Sequence, residues 1–85
     1  MGMNRKYVVN YNTPLTIDNK NQRYVLITRT TVNDYAAVII TPAEMVVVHN
    51  GFGTLLSLQY SKATGLTIST STENYSYGVA VVYFA

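Results

Sequence analysis

Cysteine and tryptophan are absent from this chain, proline occurs twice, and charged side chains make up only 12% of it. Without cysteine there is no disulfide framework and no thiolate metal site. The charged share is about half the usual one. Six cations are present, and only Arg5 and Lys6 are neighbours; Lys20, Arg23, Arg29 and Lys62 are scattered. Nucleic-acid binding needs several phosphates neutralised at once, and no basic stripe is available for that, so no nucleic-acid partner is expected. The longest apolar run, Gly78 to Ala85, is far short of the roughly 20 residues of a membrane-spanning helix, and no membrane role is expected. "MGMNRKYVVNYN" at the start lacks the apolar centre of a signal peptide, so no cleavable leader is expected.

What is present is a chain of 85 residues, short enough for one domain spanning 1–85 and with a small core. Apolar residues are 48%, and the polarity comes from Ser, Thr, Asn and eight Tyr. The periodicity is that of strands. "RKYVVNY" alternates, with Tyr7, Val9 and Tyr11 on one face and Lys6, Val8 and Asn10 on the other. Leu15-Thr16-Ile17 is a short second piece, and "DNKNQ", 18–22, is a polar turn. "RYVLITRTTV", 23–32, reads as one long strand, with Arg23, Val25, Ile27 and Arg29 sharing a face and a turn following at Asn33-Asp34. "YAAVII", 35–40, is apolar on both faces and predicts a covered central strand. Leu56, Leu58 and Tyr60 point one way in "GTLLSLQYS", and "KATG" turns into "LTISTST". After a turn at Glu73-Asn74, "YSYGVAVVYFA" places Tyr75, Tyr77, Val79, Val81 and Tyr83 on one face. An apolar strand of this kind must be paired or buried. The pattern predicts an all-β sandwich or small barrel of about seven antiparallel strands.

One stretch offers an alternative. In "TPAEMVVVHNGFG", 41–53, Thr41 to Glu44 has the letters of a helix capping box, with Pro42 at the first helical position. A helix over 42–50 would make the fold α+β. Against it, Val46, Val47, Val48, His49 and Asn50 are poor helix formers and together cost roughly 2–3 kcal/mol, while a cap returns only ~1 kcal/mol. A Pro-containing turn followed by a strand is the favoured reading. Asn50-Gly51 then predicts a two-residue hairpin turn joining 45–49 to 52–60.

His49 is the only histidine, and the four carboxylates, Asp18, Asp34, Glu44 and Glu73, are spread along the chain. Triad chemistry needs a nucleophile, base and orienting acid, and zinc needs three or four ligands; the sequence groups neither set. No enzyme activity, metal or cofactor is therefore expected. "HNGFG" lacks the Lys-Ser/Thr of a phosphate loop. Tyrosine, a large ring with a polar tip, suits interfaces and sugar stacking. The candidate binding residues are Tyr75, Tyr77 and Tyr83 on the last strand, with His49, Asn50 and Phe52 at the turn. Small residues Ser76, Gly78 and Ala80 on the second face of the last strand would let a neighbouring sheet or chain approach closely.

"LTISTSTENYSYGVAVVYFA", a Ser/Thr/Asn/Tyr-rich hairpin closing on an apolar strand, resembles the small β-domains of bacteriophage particles: tail-fibre tips, receptor-binding heads and capsid decoration proteins. That resemblance implies a homo-oligomer, most often a trimer, and a non-enzymatic structural or adhesive role against a protein or glycan surface. It places the protein in the virion, or in the host cytoplasm before assembly. A small intracellular inhibitor or sponge that binds a host protein or nucleotide is the alternative.

Overall fold

The computed structural model describes residues 2–84, with side chains from residue 4 to residue 83. Eight strands form two antiparallel sheets that pack as a sandwich and do not close into a barrel. In chain order they are β1 (Gly2–Val9), β2 (Leu15–Ile17), β3 (Arg23–Arg29), β4 (Val32–Ile40), β5 (Met45–Asn50), β6 (Leu56–Ser61), β7 (Gly65–Thr70) and β8 (Tyr77–Phe84). A single 3-10 turn, Gly53–Leu55, precedes β6. The larger sheet runs β1-β8-β3-β4-β5 and the smaller β2-β7-β6.

Alternation puts one apolar set from each sheet into the space between them. Val25, Ile27, Ala36, Val38, Ile40, Val79 and Val81 from the larger sheet meet Ile17, Leu56, Leu66 and Ile68 from the smaller. Val9 and Tyr77 complete one end, where the Phe52 ring meets Tyr77 edge-on at 5.0 Å. The apolar last strand is paired on both sides, by β1 and β3.

Polar side chains close the other end. Arg23 is buried, ion-paired to Asp18 at 2.8 Å, with its guanidinium 4.6 Å from the Tyr83 ring centre. The Tyr83 and Tyr7 hydroxyls share a hydrogen bond of 3.0 Å. Nearby, Asn19 Nδ2 donates to the Tyr60 hydroxyl at 3.0 Å, which in turn donates to the Thr41 carbonyl at 2.6 Å. These bonds tie β6 and the 18–22 loop to the turn before β5. A buried cation is tolerated here because it is both ion-paired and stacked.

Three expectations are corrected. The β3–β4 turn lies at Thr30-Thr31, and Asn33-Asp34 belong to β4. A bulge between Thr28 and Arg29 ends β3 early, and the Asp34 side chain finds a partner on the neighbouring strand, His49 of β5. Asn50-Gly51 is not a two-residue hairpin: Gly51 has no positive φ, and β5 and β6 lie in different sheets. Instead the Asn50 side-chain oxygen accepts the N–H groups of Phe52 and Gly53, at 3.0 and 3.1 Å, in a turn that carries the chain between sheets. β4, lastly, is covered on one face only.

Residues 45–50 are strand, as the valines required. The capping letters serve a turn instead: Thr41 Oγ1 accepts from the N–H groups of Ala43 and Glu44, both at 3.2 Å, and reverses the chain from β4 into β5. A hydroxyl that accepts the N–H three residues on stabilises a tight turn as readily as a helix start. Gly65 is the one strand-opening residue with positive φ, +103°, and a Cβ there would strike the Ile17 carbonyl of β2. Only glycine permits that approach.

Candidate functional site

The outward faces of the two sheets differ in chemistry. On the smaller sheet, Thr16, Thr67 and Gln59 form one cross-strand row, and Ser57 faces Ser69 beside it. The Thr16 and Thr67 hydroxyls meet at 3.3 Å. This is the solvated face expected of an antiparallel sheet.

On the larger sheet the outward rows are mainly apolar, with Asn4 and Lys6 on β1, Thr28 on β3 and His49 on β5 as the polar members. The central row, read from β1 to β5, is Lys6, Ala80, Leu26, Ala37 and His49. Asn4, Val82, Tyr24, Ile39 and Val46 make the row on one side of it. Val8, Gly78, Thr28 and Tyr35 make the row on the other. Tyr24, Leu26, Tyr35 and Val46 are 43–46% exposed, and Val8 is 63% exposed. At five strands of ~4.8 Å spacing and about six residues of ~3.4 Å, the face measures roughly 24 by 20 Å, near 480 Å² in projection. That area is within the range of about 300–600 Å² for the largest apolar patch on a monomer, and such patches are often functional.

The face has relief and charge. Gly78 and Ala80 lower β8 into a trough of about 350 Å³, walled by Lys6 and Val8 on one side and Thr28 on the other. Tyr35 stands two strands away from Gly78 in the same row. Lys6 marks the β1 edge. At the β5 edge, His49 Nε2 bonds Asp34 Oδ1 at 2.9 Å, and the imidazole lies 4.5 Å from the Tyr35 ring, tilted by 38°. Gly51 makes this possible, because a Cβ there would occupy the position of the Asp34 carboxylate. The His49 hydrogen bond, followed by one from the Tyr35 N–H, holds the Asp34 carboxyl below the usual carboxylate range.

Imidazole and carboxylate so placed are two parts of a triad. Among the described residues, no serine or threonine hydroxyl hydrogen-bonds His49, so the arrangement carries no nucleophile. The same residues hold no group of three or more metal-ligating side chains, and no helix long and apolar enough to cross a membrane. A second depression, about 400 Å³, lies among Asn10, Tyr11, Asn12 and Glu73. It is shallow, formed by exposed loop side chains, and converges on nothing.

The six residues singled out from sequence are dispersed. Tyr77 and Phe52 are core residues, 0% and 7% exposed, and are withdrawn from any binding surface. Their rings were needed to fill the end of a small sandwich. Tyr75 and Tyr83 lie half-buried on the inward side, occupied by the guanidinium groups of Arg29 at 3.9 Å and Arg23 at 4.6 Å. Asn50 is spent on its turn. His49 alone belongs to the open face. Sequence reasoning missed Tyr24, Leu26, Tyr35 and Ile39. The signal was "YAAVII", apolar on both faces, whose second apolar side is open rather than covered. No family model, curated protein or solved structure matches the chain.

Proposed function

We propose that this protein is a non-enzymatic binding module that docks onto a protein surface through the open face of its five-stranded sheet. The observation that carries the reading is the contrast between the two outward faces: Thr, Ser and Gln on one sheet, mainly Tyr, Leu, Ile, Val and Ala on the other. Aliphatic side chains in flat rows suit another protein better than a sugar, which needs polar groups between its stacking rings. Covering ~480 Å² at about 25 cal/mol per Å² gives at most on the order of 10 kcal/mol of gross driving force, since Asn4, Lys6, Thr28 and His49 share the face. Association costs of ~4–15 kcal/mol offset it, so docking by this face alone is reversible and suits a subunit within a larger assembly. A virion shell or tail of the phage type is the setting we propose for such a subunit.

A photo-crosslinking side chain placed at Leu26, the centre of the face, and separately at Gln59, on the polar face, tests this in the cell of origin. Protein adducts are expected at position 26 and not at 59. Equal labelling at both positions, or none at 26, would refute the reading.

A further inference from the structure

Resting on that reading, we infer that the occupant of the open face is a second copy of this chain, held face to face by a twofold axis running along β3. The argument is complementarity of the face with itself. A face-to-face pair related by a twofold must have its axis in the plane between the sheets, and two choices are natural.

With the axis across the strands, β1 lies over β1 and each row near the centre meets its own counterpart. Lys6 would then oppose Lys6 of the other copy, in an interface whose only other charged groups are at the far edge. Like charges so opposed cost several kcal/mol. With the axis along the strands, rows are kept and strand order is reversed. β1 then lies over β5 and β8 over β4, while β3 meets itself.

This second arrangement satisfies both marked features of the surface. Lys6 and His49 are the two ends of one cross-strand row, so the Lys6 ammonium of each copy comes over the other copy's His49 and its partner Asp34. Two symmetric charge contacts result. Gly78 and Tyr35 also share a row, on β8 and β4, so the exposed Tyr35 ring meets the Gly78 trough of the other copy twice. Leu26 packs on Leu26 at the axis. Two footprints of ~480 Å² bury about 1,000 Å², the lower bound of a specific interface, so the pair is a weak, concentration-dependent dimer. Twisted sheets packed this way cross at about 30°. A trimer, expected from the sequence resemblance, has no such face-to-face contact: three copies around one axis join unlike surfaces.

Sedimentation equilibrium of the full chain, up to millimolar concentration, tests this with three variants. Wild type is expected to reach a dimer. Gly78→Val fills the trough; its Cβ meets only Thr28, at ordinary distances of 3.5 Å to Oγ1 and 4.0 Å to the carbonyl oxygen, so the monomer keeps its thermal midpoint. Dimerisation is expected to weaken about tenfold or more. Lys6→Glu and Asp34→Lys are each expected to weaken self-association. Mixed in equal amounts, they are expected to restore it, because each charge then meets its opposite across the interface. A wild-type monomer at all concentrations, a trimer, or a Gly78→Val dimer as tight as wild type overturns the proposal. If Asp34→Lys does not fold, the Gly78→Val result decides. A monomer that still crosslinks a different protein at position 26 defeats the self-pairing alone; no crosslink at that position defeats the binding reading as well.

Discussion

Replacing Tyr77 with phenylalanine is expected to stabilise the protein. Tyr77 is fully buried, and its hydroxyl has no hydrogen-bond partner among the described residues. Burial raises its pKa, and the Thr70 hydroxyl is close enough to oppose that rise. The single Thr70 proton is directed at the Leu55 and Thr72 carbonyls, each at 3.4 Å, and the geometry makes no hydrogen bond between the two hydroxyls. A buried hydroxyl without a partner costs about 1–3 kcal/mol. Phenylalanine keeps the ring and its edge-on contact with Phe52, and removes one oxygen. The void of roughly 12 Å³ costs about 0.3 kcal/mol at ~24 cal/mol per Å³. The net gain is about 0.7–2.7 kcal/mol, and for a domain of this size each kcal/mol moves Tm by roughly 4–8 °C. Thermal unfolding followed by circular dichroism, with urea titration as a check on m, measures it. A fall in Tm of about 4 °C or more would show that the hydroxyl has a working partner, and would reopen Tyr77 as a residue with a polar role.

The other two perturbations probe each end of the larger sheet. Gly51→Ala is expected to lose about 1–2 kcal/mol, since Gly51 has no positive φ and the nearest atoms a Cβ would meet are those of the Asp34 carboxylate. Adding Asp34→Ala should recover most of that loss, and full additivity in the double mutant would contradict the contact. At the opposite end, burial and then the Tyr7 hydrogen bond push the Tyr83 hydroxyl from 10.0 up to about 12. Its unfolded counterpart ionises first, so this contribution to stability is whole below pH ~10 and is lost as pH rises towards ~12. Urea unfolding across that range should show a shallower alkaline decline in Tyr83→Phe than in wild type; identical slopes would contradict the shift.

The strands were largely legible because alternation is a local property. Val25 and Ile27, or Leu66 and Ile68, declare their face from their neighbours alone. Residues 45–50 were legible for an energetic reason: a run of β-branched side chains outweighs one capping box, and Thr41 then serves the turn. The site was not legible, because it depends on which strands become neighbours. Lys6, Ala80, Leu26, Ala37 and His49 span 75 positions of sequence and become one row only when β8 inserts between β1 and β3. "YAAVII" showed two apolar faces, and nothing local distinguishes a second face buried in the domain from one offered to a partner. The tyrosines misled for a related reason: Tyr77 looks like Tyr24 in sequence, while the sheet turns one inward and the other out.

Hydroxyl-radical footprinting of three tyrosines tests the central claim most directly. Tyr24 and Tyr35, on the open face, are each 44% exposed, and Tyr11, on the loop after β1, is 49% exposed, so the free protein should label all three alike. In the assembled protein, Tyr24 and Tyr35 should be protected while Tyr11 stays reactive. Labelling of Tyr24 and Tyr35 that remains as strong as that of Tyr11 after assembly would contradict the account.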